Sequence, residues 1–160
     1  MVKNKQNKFL VCIGITNIEN SFAALKYAAL KAKASGAVVE ILSVIDTTGQ
    51  DYGLFSVDKV MKQEKRSKSE EVLKDVSKKV QEWSGQTPIL NIKEGIISDK
   101  ISEVLSEDKT INLIIVGTAR NSTSKGKLIS YLTEQISSKL FLPLIIIPHD
   151  LSDTELKKII

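Results

Sequence analysis

The chain has 160 residues, a length that fits one domain and leaves little room for two. Hydrophobic residues make up 42% and charged residues 26%, enough apolar side chain for a sizeable core beneath an ordinary soluble surface. The net charge of +4 and pI near 9.1 are spread over lysine-rich stretches that also carry acids, and aromatics are only 5%, which argues against a reader of stacked nucleic-acid bases.

The chain opens on a basic arm, residues 1–7, followed by the apolar run Phe9–Ile15. A secretory leader begins in a similar way, but this run passes straight into Thr16-Asn17-Ile18-Glu19-Asn20-Ser21 with no small-residue cleavage site. No apolar stretch approaches the roughly 18 residues of a membrane span. The expectation is a cytoplasmic protein with no membrane partner. Cys12, the one cysteine, lies inside the apolar run and reads as a small core residue in a reducing compartment.

Four further apolar runs follow: Val38–Ile45, Ile89–Ile92, Leu113–Val116 and Leu144–Ile147. Most are continuous rather than alternating and rich in Ile, Val and Leu, the pattern of strands buried on both faces of a parallel sheet. Ile89-Leu90-Asn91-Ile92-Lys93 partly alternates and suits an edge. Helical spacing fills the gaps. Phe22, Leu25, Ala29 and Ala32 form one stripe, stopped at Ser35-Gly36. Ile97, Ile101, Val104 and Leu105 form another, and Leu128, Leu132, Ile136 and Leu140 a third, closed by Pro143.

The connection after the second strand is less regular. Val72, Leu73, Val76, Val80 and Trp83 make a docking stripe, whereas Lys62 to Glu71 has no apolar side chain. This predicts a long helix whose first half projects into solvent, preceded by a mobile loop over Thr47–Ser56. Leu151 to Ile160 reads as a short terminal helix whose leucines and isoleucines need cover. The whole is one β-α-β-α-β-α-β-α-β domain over residues 1–160, with its core in 8–148 and a tail in 151–160.

In an open parallel sheet, ligands gather at the carboxyl ends of the strands where the strand order reverses, here beside the first strand. The walls would be the loop after the first strand (Ile15 to Ser21) and the loop after the fourth (Gly117 to Lys127). A small ligand is expected against the Gly117-Thr118-Ala119-Arg120 turn, where hydroxyls, Arg120, Lys125, Lys127 and a following helix N-terminus all favour an anion. Catalysis has little support. His149 is the single histidine and is expected on the surface, so neither a nucleophilic triad nor a His/Cys metal cluster can be assembled. Asp46 and Asp51 read as solvated carboxylates rather than metal ligands. A flavodoxin-like phosphate loop at Thr16–Ser21 is opposed by the charge of Glu19 and by the shortage of aromatics, with only Tyr52 and Phe55 suitably placed.

Several of these pieces together resemble the universal stress protein family from Phe9 to Pro148. They are Lys8-Phe9-Leu10-Val11 leading to Glu19-Asn20-Ser21, Leu42-Ser43-Val44-Ile45-Asp46, Glu94-Gly95, Leu113-Ile114-Ile115-Val116-Gly117-Thr118, and Leu142-Pro143-Leu144-Ile145-Ile146-Ile147-Pro148. The resemblance implies an open five-stranded parallel sheet of order 3-2-1-4-5 with helices on both faces, a Rossmann-like fold of the adenine nucleotide alpha hydrolase type. It also implies a homodimer formed through the fifth strand. Leu144–Ile147 gives an independent reason for that dimer, since an apolar edge strand is a hazard unless paired.

The nucleotide-binding members carry Gly-x2-Gly-x9-Gly-Ser/Thr after the fourth strand and an Asp at the end of the first. Carried across by position, Gly117 keeps the first glycine, Arg120 replaces the second, Ser130 the third, Tyr131 takes the hydroxyl position, and Thr16 stands for the Asp. With Val44, these are the positions that the resemblance makes cofactor-binding: Thr16, Val44, Gly117, Arg120, Ser130 and Tyr131. Glycines in such a loop allow positive φ and let backbone N–H groups approach phosphates. Arg120 fills that space, Tyr131 moves its hydroxyl outward, and Thr16 removes a carboxylate. No cofactor bound through the usual motif is therefore expected. ATP or another adenine nucleotide is the ligand that a rearranged loop built on Arg120 would take, with slow ATPase activity as its extreme. The expectation is a stress-response protein that acts as a homodimer through an unidentified protein partner.

Overall fold

The five apolar runs become five strands: β1 (Lys8–Ile13), β2 (Val38–Asp46), β3 (Ile89–Gly95), β4 (Ile111–Thr118) and β5 (Leu144–Pro148). The structure, a computed structural model, describes residues 6–14, 18–47, 55–118, 125–139 and 141–160. Every strand pairing is parallel and the order across the sheet is β3-β2-β1-β4-β5, as expected. Strands β2 to β5 extend beyond their apolar runs because polar residues such as Glu94 and Thr118 continue the ladder at the carboxyl ends.

Crossover helices cover both faces: α1 (Phe22–Ser35), α2 (Phe55–Ser84), α3 (Ile97–Glu107) and α4 (Lys125–Ser138), with α5 (Asp153–Lys158) at the end. A short 3-10 helix, Ile18–Ser21, leads into α1. Odd-numbered residues of β1 (Phe9, Val11, Ile13) face a core shared with α1, α2 and α5. Even-numbered ones (Leu10, Cys12) face a second core under α3 and α4. This two-sided burial is why the strands read as unbroken apolar runs.

Helix α1 buries Ala23, Ala24, Ala28, Ala29 and Ala32, whose short side chains let its backbone lie close to the sheet and to α2. It ends where Gly36 adopts a left-handed conformation (φ 78°) and donates its N–H to Ala32 O at 2.8 Å. The α3 stripe is narrower than expected, for Ile101, Val104 and Leu105 are buried but Ile97 is 37% exposed. In α4, Leu132 is fully buried and Leu128 packs beside it. Leu140 lies outside the described residues.

The long second helix is present, with two differences from expectation. It begins at Phe55, so the end of the predicted mobile loop is already helical, and residues 48–54 lie outside the described residues. Residues 63–68 are exposed as predicted, but this half does not simply project into solvent. Arg66 Nη1 donates to Glu94 Oε1 on β3 at 2.9 Å, and Ser69 is fully buried with its hydroxyl 3.2 Å from Ser43 on β2. The docking face thus starts three residues before Val72, through a serine that no apolar pattern can reveal. In the tail, Ser152 and Glu155 form a capping box and Leu156 is buried against α1, while Ile159 and Ile160 remain exposed.

Candidate functional site

At the switch point, the ends of β2, β1 and β4 lie side by side. Gly117 is the penultimate residue of β4 and pairs with Ile147. Its backbone is not left-handed, so the reason for glycine here is not the positive φ expected of a phosphate loop. It is space. A Cβ at this position would lie 2.5 Å from the backbone oxygen of Asn20 and 3.4 Å from Ser21 Cα, so the 3-10 helix Ile18–Ser21 rests directly on the missing side chain. Sequence reasoning missed Asn20 in this role. The signal was available in principle, because a glycine near the end of β4 faces the loop that follows the neighbouring strand.

Tyr131 also has a definite occupation. Its hydroxyl donates to the Ser98 carbonyl at 2.9 Å, which leaves the Ser102 hydroxyl to donate to it at 2.5 Å. The ring packs against the core under α3 and α4. Tyr131 therefore ties α4 to α3, and its hydroxyl is spent on that link. Ser130, its neighbour, is exposed on α4. Val44 is half-buried on β2 and packs against the same core as Tyr131. The structure thus brings Val44 and Tyr131 to one side of the sheet, while Gly117 turns its bare Cα to the 3-10 helix on the other. Thr16, Ala119, Arg120 and Asn121–Ser124 lie outside the described residues.

Cavities among the described residues open elsewhere. One of about 490 Å³ lies between the start of α1 and α2, with Ile18, Phe22, Val72 and Val76 along its floor. A neighbour of about 300 Å³ is walled by α5 and lined by Lys26, Trp83, His149 and Asp153. His149 is half-buried there, not free on the surface as expected, and its backbone N–H donates to Thr118 O at 3.0 Å. Lys79 Nζ sits 4.3 Å from the Phe22 ring centre, and Lys26 Nζ 2.7 Å from Asp153 Oδ2. These lysines brace the helices against one another.

Cys12 is buried, and burial, with a smaller push from the Glu40 carboxyl, raises its thiol to about 12. It is an inert core residue. Among the described residues no helix is long and apolar enough to cross a membrane.

A five-stranded parallel sheet of order 3-2-1-4-5 with helices on both faces is a Rossmann-like α/β fold. The chain belongs to the universal stress protein family, whose model matches residues 7–148. Among solved structures it is similar to the universal stress protein UspA from Lactobacillus plantarum, at 21% identity over 90% of this chain and 99% of that one, with a TM-score of 0.70. It is also similar to a universal stress protein in complex with cAMP (16% identity, 91% and 100% coverage, TM-score 0.61). A universal stress protein family protein from Arabidopsis thaliana with AMP bound is similar as well (18% identity, 89% and 91% coverage, TM-score 0.59). No curated protein matches the chain at a significant level.

Proposed function

We propose that this universal stress protein works as a homodimeric interaction module in the stress response, with ATP binding through the family's usual motif weak or absent. The observation that carries the reading is the engagement of Tyr131. At the position matching the family's Ser/Thr, the hydroxyl is held by Ser98 and Ser102 of α3, so it offers nothing to a phosphate. Gly117, the one motif glycine retained, already has a structural reason to be glycine in its contact with Asn20.

The dimer is supported by the open edge of β5. Phe141, just before the strand, is 95% exposed and Ile146 within it is 39% exposed. An apolar strand edge of this kind is stable when a second copy pairs with it. Replacing Ile146 with Asp puts a charge into that pairing, so sedimentation velocity should show a monomer. An unchanged dimer would remove β5 as the interface.

A second reading has its own support, because two of the similar structures hold cAMP and AMP. In that reading an adenine nucleotide binds through a rearranged loop in which Arg120 meets the phosphates. Calorimetric titration with ATP, ADP and AMP separates the two. Binding that is present in the native protein and lost in Arg120→Ala supports the rearranged loop.

A further inference from the structure

Glu40 lies within the sheet, 6% exposed, and its Oε2 has no hydrogen-bond partner. A buried carboxyl oxygen left in this way needs a cause. The register supplies one. Lys8 pairs with Val38 and Leu10 with Glu40 across β1 and β2, so Lys8 and Glu40 share a sheet face one diagonal apart, within reach of long side chains. Lys8 does not turn to Glu40. Its Nζ lies 2.6 Å from Asp108 Oδ2, and Asp108 Oδ1 accepts from Thr110 N at 2.9 Å and from the Thr110 hydroxyl. The remaining groups that act on Glu40 are Lys93 of β3, which favours its charge, and Asp108, which opposes it; Cys12 shares its face.

We propose that Lys8 is a single cation shared by two carboxyl groups, and that a proton on Glu40 keeps it on Asp108. When that proton leaves, Lys8 is drawn toward Glu40, and the join between β1 and the turn before β4 loosens. This clasp sits at the end of the sheet opposite the candidate binding loops. There Lys8 N also donates to Thr110 O at 3.0 Å and Val38 N to Asn7 O at 2.9 Å. The electrostatics agree with the geometry. Burial raises the affinity of Glu40 for its proton, against the pull of Lys8 and Lys93. For Asp108 burial acts in the same upward sense, but hydrogen bonds from Lys8 and Thr110 outweigh it and hold the group at about 2.

Carbon-detected NMR titration of the Glu40 carboxyl in the full chain tests this, in the native protein and in the Asp108→Asn, Lys8→Met and double variants. The native Glu40 should titrate above the ordinary glutamate value of about 4.3. Asp108→Asn should lower that midpoint by about one pH unit or more, because Lys8 is then free to pair with it. In the Lys8→Met background the same change should move the midpoint far less. An ordinary midpoint in the native protein would overturn the proposal, and so would an equal shift with and without Lys8. If the variants do not fold, hydrogen exchange in the native protein decides. Protection of the Lys8 amide, corrected for the intrinsic rate, should fall as pH rises through the Glu40 midpoint, and constant protection would refute the clasp.

Discussion

Replacing Gly117 with alanine distinguishes a glycine kept for a phosphate from one kept for the fold. The new Cβ would stand 2.5 Å from the carbonyl oxygen of Asn20, whereas ordinary carbon–oxygen contacts begin near about 3.3 Å. Close to 1 Å of movement is needed, and both partners are backbone. Gly117 is held in the ladder by its pairing with Ile147, and Asn20 by the 3-10 helix that starts α1. Overpacking of this kind costs about 1–3 kcal/mol. Alanine gains back about 0.4–1 kcal/mol because it restricts the unfolded chain. Because the clash is with backbone on both sides, the overpacking cost falls in the upper part of its range. The net expectation is a loss of about 1–2 kcal/mol, or about 2–8 °C in Tm for a domain of this size. Urea unfolding followed by circular dichroism reads it as a lower midpoint at unchanged slope. A Gly117→Ala protein within about 0.5 kcal/mol of the native one would refute the packing explanation and return Gly117 to the ligand.

Two further predictions concern polar groups held by hydrogen bonds. Ser43→Ala or Ser69→Ala should each cost about 1–3 kcal/mol, because either leaves the other buried hydroxyl without its partner, while the double variant should be less destabilised than the two losses added together; denaturant unfolding of all four proteins checks this. The folded-state pKa of Asp108 lies below its ordinary value of 3.8, at about 2, so its contribution to stability is present above pH 3.8 and is lost as pH falls from there toward 2. Urea midpoints measured across that window should fall in the native protein and change less in Asp108→Asn.

How much was legible in the sequence follows from which forces leave a pattern. Strands buried on both faces must be apolar throughout, so Leu113–Val116 could be read directly, and parallel order followed from the helices between the runs. The partial alternation at Ile89–Ile92 marked an edge, and β3 is one. The Gly36 stop was visible because only a left-handed residue ends a helix in that way cheaply. Polar residues that dock by pairing leave no such trace. Ser69 and Arg66 read as solvent-facing, yet one is buried on Ser43 and the other reaches Glu94. The same limit applies to the candidate site. Gly117 was found, but the cause of its glycine lies in Asn20, about a hundred residues away in sequence. The direction of Tyr131 depended on the serines of α3, which carry no periodic signal.

Under the proposed function, the pocket positions of this family member no longer serve ATP through the usual motif. Calorimetric titration of the native protein with ATP tests that most directly. No saturable heat is expected in the micromolar range, and ATP binding at micromolar affinity would overturn the proposed function.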